Sequence, residues 1–306
     1  GKDSVGVARQ YCGALGKIAN CQVAVSTALL TDHAVWPTTL ELYLPHDWAD
    51  DADRRDRAGI PRRVRFQEKW RLALTHIRQV RATGLQLDAV LADAAYGNVH
   101  AFRTALERMG LHYAVGVGRQ LTMQIVGGRR RVRISRMLSR LPTRAWRRVC
   151  WAQGTKGPLA ARFAALRVQP TPHSPECWLL CERPLTTRGE RKAYLLNLPA
   201  SASLMALVRL ARSRWPIEQQ YRELKDELGL DHFEGRSYRG WNHHAVLAAL
   251  TFTFLQLERQ RGTKPRPTFP EVRNWIREIV TALFLLERPG WLKLLMSFLN
   301  NPPLRI

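Results

Sequence analysis

The chain has 306 residues, 45% of them hydrophobic, enough for one large or two ordinary globular domains and too apolar for a disordered chain. Its 48 Lys and Arg against 25 Asp and Glu leave +23 at neutral pH, so a polyanion is the first partner expected. The longest apolar stretch, residues 245–255, falls well short of the roughly 18–20 residues that span a bilayer, so no membrane partner is expected.

In chain order, residues 20–30 alternate Cys21, Val23 and Val25 with polar or small residues, and 38–45 alternate Leu40, Leu42 and Leu44. Both read as strands with one buried face. Residues 46–63 mix charges with Gly and Pro and read as a loop. Ala73, Ile77 and Val80 then recur at helical spacing over 68–82, with Gly84 as the stop. A short apolar strand over 87–92 ends at Asp93. A helix with Val99, Phe102, Leu106 and Met109 on one face and a strand at 112–117 follow. This succession indicates an α/β fold with a sheet of mixed direction.

Residues 118–200 are different in character, with short β-like pieces separated by Gly, Pro and Thr. No acid occurs between Glu107 and Glu176, while residues 109–175 carry 13 Lys or Arg, so this basic insertion supplies over half the surplus charge. Residues 203–260 and 269–287 are helical in pattern. The five cysteines form no CxxC pair, and no second Cys/His pair answers Cys177 and Cys181 at metal-ligand spacing. A reducing, cytoplasmic setting is therefore expected, and a structural zinc site is not.

The stretch RWPIEQQYRELK (214–225) carries chemistry. At ~100° per residue, Ile217, Tyr221, Leu224 and Leu228 form an apolar stripe and Glu218, Arg222 and Lys225 the adjacent one. Glu218 is thus expected at the edge of the core, facing a cleft; the competing reading is a solvated i,i+4 pair of Glu218 with Arg222. Lys225 stands about 10 Å further along the axis, too far to pair with Glu218 but able to reach the same phosphate backbone. Pro216 either opens this helix or kinks one running from about Leu204.

Asp93 sits where an apolar strand leaves the sheet, a position at which α/β folds gather functional groups; it reads equally as a cap of the next helix. Asp88, Asp50 and Asp51 lie in or beside polar loops. Two carboxylates on separate elements, next to a large basic surface, suggest metal-assisted phosphoryl transfer. Lys156, in a Gly-Thr-Lys-Gly turn, is a candidate phosphate contact. Trp146 and Trp151 stand among Arg144, Arg147 and Arg148, to stack on bases or Arg planes or to pack as half-buried strand aromatics. His243 and His244, ahead of an apolar helix, read as cap or packing residues.

The stretch at 214–225 is similar to the Arg-x3-Glu-x6-Lys part of the Tyr-Arg-Glu-Lys signature of DDE transposases of bacterial insertion sequences, in the insertion-sequence-four superfamily. Arg214, Glu218 and Lys225 match in register. VLADAAYGN resembles that family's second-Asp block, and residues 4–26, 154–159 and 228–255 resemble further blocks of one subgroup, so the likeness covers most of 4–260. The resemblance implies a ribonuclease H-like core with a β-rich insertion between the second Asp and the Glu, an interval of 125 positions here. It implies that Asp93 and Glu218 are catalytic ligands of Mg²⁺ or Mn²⁺, and that Arg214 and Lys225 contact transposon-end DNA. Trp215, Tyr221 and Arg222, on the same helix, are the accompanying DNA-contact candidates. The implied partner is double-stranded DNA, both transposon ends and target, in a bacterial nucleoid; such enzymes commonly act as dimers, so a homodimer on DNA goes with the likeness.

Two departures stand out. The signature's Tyr falls at Ala211, and the first catalytic Asp of relatives lies upstream of the SVGVARQY block at 4–11, to which Asp3 is too close. The expectation is an N-terminally truncated transposase: 1–117 the first part of the core, 118–200 the insertion, and 201–306 a helical completion. The rival expectation is a catalytically dead remnant that only binds DNA; a basic RNA-binding protein without enzymology ranks last.

Overall fold

The computed structural model describes residues 3–13, 15–154, 157–186, 191–261 and 267–300. Strands β1 (Ala8–Cys12) and β2 (Lys17–Cys21) pair antiparallel, as do β3 (Ala24–Leu30) and β4 (Val35–Leu42). The single strand expected over 20–30 is therefore two pieces. Gln22 interrupts them, its side-chain amide donating to the Val5 carbonyl at 2.7 Å.

The loop expected over 46–63 contains two short helices, α1 (His46–Ala49) and α2 (Ala52–Ala58). Local capping produces α2 without an amphipathic period: the Asp51 side chain accepts the Arg54 N–H at 2.9 Å, and Gly59 closes the helix at φ 64°. Arg55 then ties the segment down by donating to the carbonyls of Ala49, Pro61 and Val64. Helix α3 (Lys69–Ala82) buries Leu72, Ala73, Leu74, His76 and Ile77 and ends before Gly84, as its spacing predicts.

Strand β5 (Ala89–Ala92), helices α4 (Ala94–Gly97) and α5 (His100–Arg108), and strand β6 (His112–Gly116) form a βαβ unit with parallel strands. There follow β7 (Thr122–Ile125), β8 (Arg131–Arg133), a helix α6 (Ile134–Arg140) inside the segment expected to be β-rich, β9 (Arg147–Gly154), β10 (Gly157–Gln169), β11 (Cys177–Arg183) and β12 (Lys192–Leu196). All join β5 and β6 in one eight-stranded sheet, ordered β5-β6-β12-β11-β10-β7-β8 with β9 beside β10. Every pair but β5/β6 is antiparallel, so the fold is α/β with a mixed sheet, consistent with the ribonuclease H-like expectation.

Strand alternation assigns the two faces of the sheet to separate cores. Tyr113, Val115, Cys177, Leu179, Cys181, Ala193 and Leu195 pack with α3, α5 and α6. Ala114, Phe163, Leu180 and Leu196 point the other way and meet Leu207, Val208 and Ala211 of α7 (Leu204–Arg212). Cys177 and Cys181, four residues apart on β11, are thus core side chains.

Residues 1–218 and 219–306 form two compact units, with α8 (Trp215–Arg222) running across the boundary in sequence. The second unit contains a π-helical turn (Glu223–Glu227), α9 (Tyr238–Arg261), α10 (Phe269–Glu287) and α11 (Pro289–Asn300). Leu224, Phe252, Leu255, Phe269 and Val272 make its core, and Arg273 pairs with Glu227 at 2.6 Å. His244 bonds the Gly229 carbonyl at 3.0 Å and packs on Phe233, the packing role its sequence context indicates. Among the described residues, no helix is long and apolar enough to cross a membrane.

Burial pushes the Cys177 and Cys181 thiols up to about 12, whereas Cys150 is exposed. At pH 8 a thiol reagent is expected to modify Cys150 in the native protein and to leave Cys177 and Cys181 unreacted until denaturant is added. Equal rates at all three would contradict the core assignment, as read by mass spectrometry of timed digests.

Candidate active-site cleft

Asp93 is the first residue beyond β5. Its backbone is extended (φ −83°, ψ −174°), its carboxylate accepts the Ala95 N–H at 2.9 Å, and its carbonyl accepts the Gly97 N–H at 2.8 Å. The capping alternative is therefore realised, and it fixes where the carboxylate stands. The turn lies directly on β6: a Cβ on Gly97 would sit 1.9 Å from the Gly116 carbonyl oxygen, and one on Gly116 would meet the Ala94 nitrogen at 3.2 Å. Glycine is needed at 97 for close approach, since its φ is not positive. Asn98 accepts the Gly118 N–H at 2.7 Å, and the buried Arg103 guanidinium donates to the Gly97 carbonyl. The sequence DAAYGN thus reads as an acid on a turn seated on the neighbouring strand through Gly97 and Asn98 and tied to α5 by Arg103.

Glu218 arrives on a different element. Helix α7 stops at Arg212, where the Ser213 hydroxyl donates to the Leu210 carbonyl at 2.8 Å. A new helix begins at Trp215, with Pro216 in its first turn, where a missing N–H costs nothing. Pro216 therefore opens a helix and kinks none. Glu218 is more exposed than the apolar stripe implies, with 55% of its side chain accessible, and it pairs with Arg214 at 2.6 Å instead of with Arg222. Arg222 reaches Gln219 at 3.4 Å. The apolar stripe holds past Arg222, with Leu224 buried and Leu228 packed against the same core, although the chain turns π-helical at Glu223.

Asp93 and Glu218 line one cleft of about 400 Å³. Arg119, Arg191, Lys192, Arg212 and Arg214 line it too, so five cations surround two acids. Arg119 follows β6, Arg191 and Lys192 sit at the start of β12, and the other two flank the α7–α8 junction. Trp215 stands at the cleft with 60% of its surface exposed. A larger groove of about 750 Å³, beside α3 and α5, holds one carboxylate, Glu68, already paired with Arg71 at 3.1 Å.

Of the other expected contacts, Lys156 lies outside the described residues. Tyr221, Arg222 and Lys225 belong to the second unit, with Arg222 exposed and Tyr221 and Lys225 half-buried. Trp146 and Trp151 stack against guanidinium planes, Arg183 over Trp146 and Arg212 over Trp151, each at 4.5 Å. The cleft cations Arg119, Arg191, Lys192 and Arg212 were not singled out by any sequence signal. They come from positions up to 93 residues apart, which only the sheet order brings together.

Residues 1–158, which include Asp93, match the family described as DDE superfamily endonuclease. Over 112 residues the chain is 29% identical to a probable transposase for insertion sequence element IS701 from Microchaete diplosiphon, covering 36% of this chain. That match spans 27%, about a quarter, of the relative's length.

The two roles of Asp93 separate by substitution. Asp93→Asn keeps an acceptor for the Ala95 N–H and is expected to unfold within a few tenths of a kcal/mol of the parent, whereas Asp93→Ala loses about 0.5–2 kcal/mol. Gly97→Ala is expected to cost about 1–3 kcal/mol, because the carbonyl it strikes is backbone. Urea midpoints decide both, and an unchanged midpoint for Gly97→Ala would refute the close seating of the turn.

Proposed function

We propose, on the premise that the chain belongs to the DDE superfamily endonucleases, that this cleft cuts and joins DNA strands during transposition of an insertion sequence. The observation that carries the reading is that Asp93 and Glu218, 125 positions apart, line a single cation-rich cleft. Arg214, Glu218 and Lys225 support assignment to the Tyr-Arg-Glu-Lys signature group, and the division at 117 and 200 into core, insertion and helical completion belongs to the same reading.

The donor set suits a hard divalent cation. One oxygen of each carboxylate is engaged, by the Ala95 N–H and by Arg214, and among the described residues the other carries no hydrogen bond. Mg²⁺ is commonly held by one or two carboxylates, waters and substrate phosphates instead of an all-protein cage. Asp93 and Glu218 would hold Mg²⁺ or Mn²⁺, whose chemistry there is to acidify a bound water and neutralise charge on phosphate oxygens.

The chain's own groups do the rest. The Ala95 N–H and Arg214 orient the two carboxylates, and Arg119, Arg191 and Lys192 attract the DNA backbone. Trp215 offers an exposed ring face to a base, and Tyr221, Arg222, Lys225 and Lys156 are further DNA contacts in this reading. Water attacks a phosphodiester phosphorus, the bond to the 3′ oxygen breaks, and that oxygen leaves as a hydroxyl once protonated. The freed 3′-hydroxyl then attacks a target phosphodiester in the same manner. A homodimer on paired transposon ends is the assembly we assign to this chemistry.

A second reading, a DNA-binding protein without catalysis, is favoured by one observation. The Glu218 carboxylate is already paired with Arg214 at 2.6 Å, an ion pair that a metal would have to share or displace. Cleavage of duplex DNA carrying the element's terminal repeats, with Mg²⁺ or Mn²⁺, separates the two. The protein is expected to nick these ends, and Glu218→Gln to lower the rate by about a hundredfold or more. Equal rates in that variant would remove Glu218 from the chemistry. Affinity for duplex DNA is expected to fall linearly in log–log form with salt, at a slope of about −0.9 per phosphate contacted; a salt-independent affinity would rule out the electrostatic interface.

A further inference from the structure

Arg212 differs from the other cations of the cleft. Only 23% of its side chain is exposed, and its Nη1 donates to both oxygens of Glu182 at 3.3 Å. Its guanidinium lies over the Trp151 ring. Glu182 is itself buried, at 8% exposure, on β11, where strand parity puts it on the α7-facing side with Leu180. The hydroxyl of Tyr194, a residue that also lines the cleft, donates to Glu182 Oε2 at 3.1 Å and meets the Arg212 guanidinium. Burial and the adjacent Glu182 carboxylate push the Tyr194 hydroxyl up to about 12, so it remains a donor near neutral pH.

A carboxylate taken this far out of water is costly, and replacing such a pair by apolar residues is often neutral or stabilising. Stability alone therefore does not account for it. The pair holds a planar five-donor cation at the wall of a cleft; its Nε is buried and hydrogen-bonded to nothing among the described residues, which leaves the Nη end of the guanidinium to meet a phosphate. Arg119, Arg191 and Lys192, by contrast, are exposed side chains without an ion pair among the described residues, free to follow a phosphate.

We infer that Arg212 is a phosphate-binding residue for the DNA strand in this cleft, and that Glu182, assisted by Tyr194 and Trp151, is the positioning residue that presents it. The inference rests on the cleft being the DNA site proposed above. Its signature is a sign. If Glu182 acted only through its charge, deleting a negative group beside a basic cleft would strengthen binding of a polyanion; if it positions Arg212, deleting it weakens binding.

The test is fluorescence anisotropy of the chain on a short labelled duplex in EDTA, across a salt series. Arg212→Ala is expected to bind about tenfold more weakly, with a salt slope shallower by about 0.9. Glu182→Gln is expected to lose several-fold in affinity in the parent and nothing further in an Arg212→Ala background, the coupling expected of residues acting as one. Glu182→Gln binding as tightly as the parent or tighter, or Arg212→Ala leaving affinity and slope unchanged, overturns the inference. Where Glu182→Gln lacks a cooperative unfolding transition, Tyr194→Phe replaces it, removing one bond and no charge. A smaller loss of affinity supports the positioning role, and unchanged affinity counts against it. EDTA removes the cation from the acid pair, so this result stands apart from the cleavage result for Glu218→Gln. A parent chain that fails to bind DNA defeats both readings; binding by the parent with an indifferent Arg212→Ala defeats this one alone.

Discussion

The approach of Gly97 to the Gly116 carbonyl is the constraint on which the site depends. Two backbones meet with no room for a methyl group, so the turn after β5 has one seating on β6. Asn98 and Arg103 hold that seating by hydrogen bonds to main-chain groups on either strand's continuation. Asp93 inherits its position from this arrangement, and a carboxylate on a rigid turn keeps its geometry without reorganisation when a ligand arrives. The core beneath, with Tyr113 and Val115 on one face and Ala114 on the other, supplies the rigidity.

Electrostatics impose the second condition. A chain at +23 has cations to spare, yet within the cleft they are distributed with care. Arg214 is committed to Glu218 and Arg212 to Glu182, while Arg119, Arg191 and Lys192 are not in ion pairs among the described residues. Committed cations orient acids or are oriented by them; uncommitted ones raise the local concentration of a polyanion. Exposed pairs such as Arg214 with Glu218 contribute little stability, about 0–1 kcal/mol. The value of that pair lies in where it leaves the carboxylate.

How far the sequence foretold this depends on whether the signal was local. Helices α3 and α5, strand β6 and the position of Asp93 at a strand end were legible, because each is written as apolar periodicity closed by a turn residue. Helices α1 and α2 were not, since capping by Asp51 and Gly59 creates them without an apolar stripe. The break between β2 and β3 falls where the chain passes from pairing with β1 to pairing with β4, a change of partner that no periodicity announces. The stripe's Leu224 is buried as the periodicity predicts, although the chain turns π-helical at Glu223; Glu218, on the regular helix before that turn, stands more open than expected. Glu182, Tyr194 and Arg212 were invisible for a different reason: their relation is a cross-strand and helix-on-sheet contact, fixed only once β11, β12 and α7 are in register.

The central claim is that the carboxylates of Asp93 and Glu218 act on one cation. Crystals soaked in Mn²⁺ and measured at its absorption edge test it most directly. The account predicts an anomalous peak within about 2.2 Å of an oxygen from each residue, lost on replacing either. A peak bound to only one of them, or none in the cleft at saturating Mn²⁺, would contradict it.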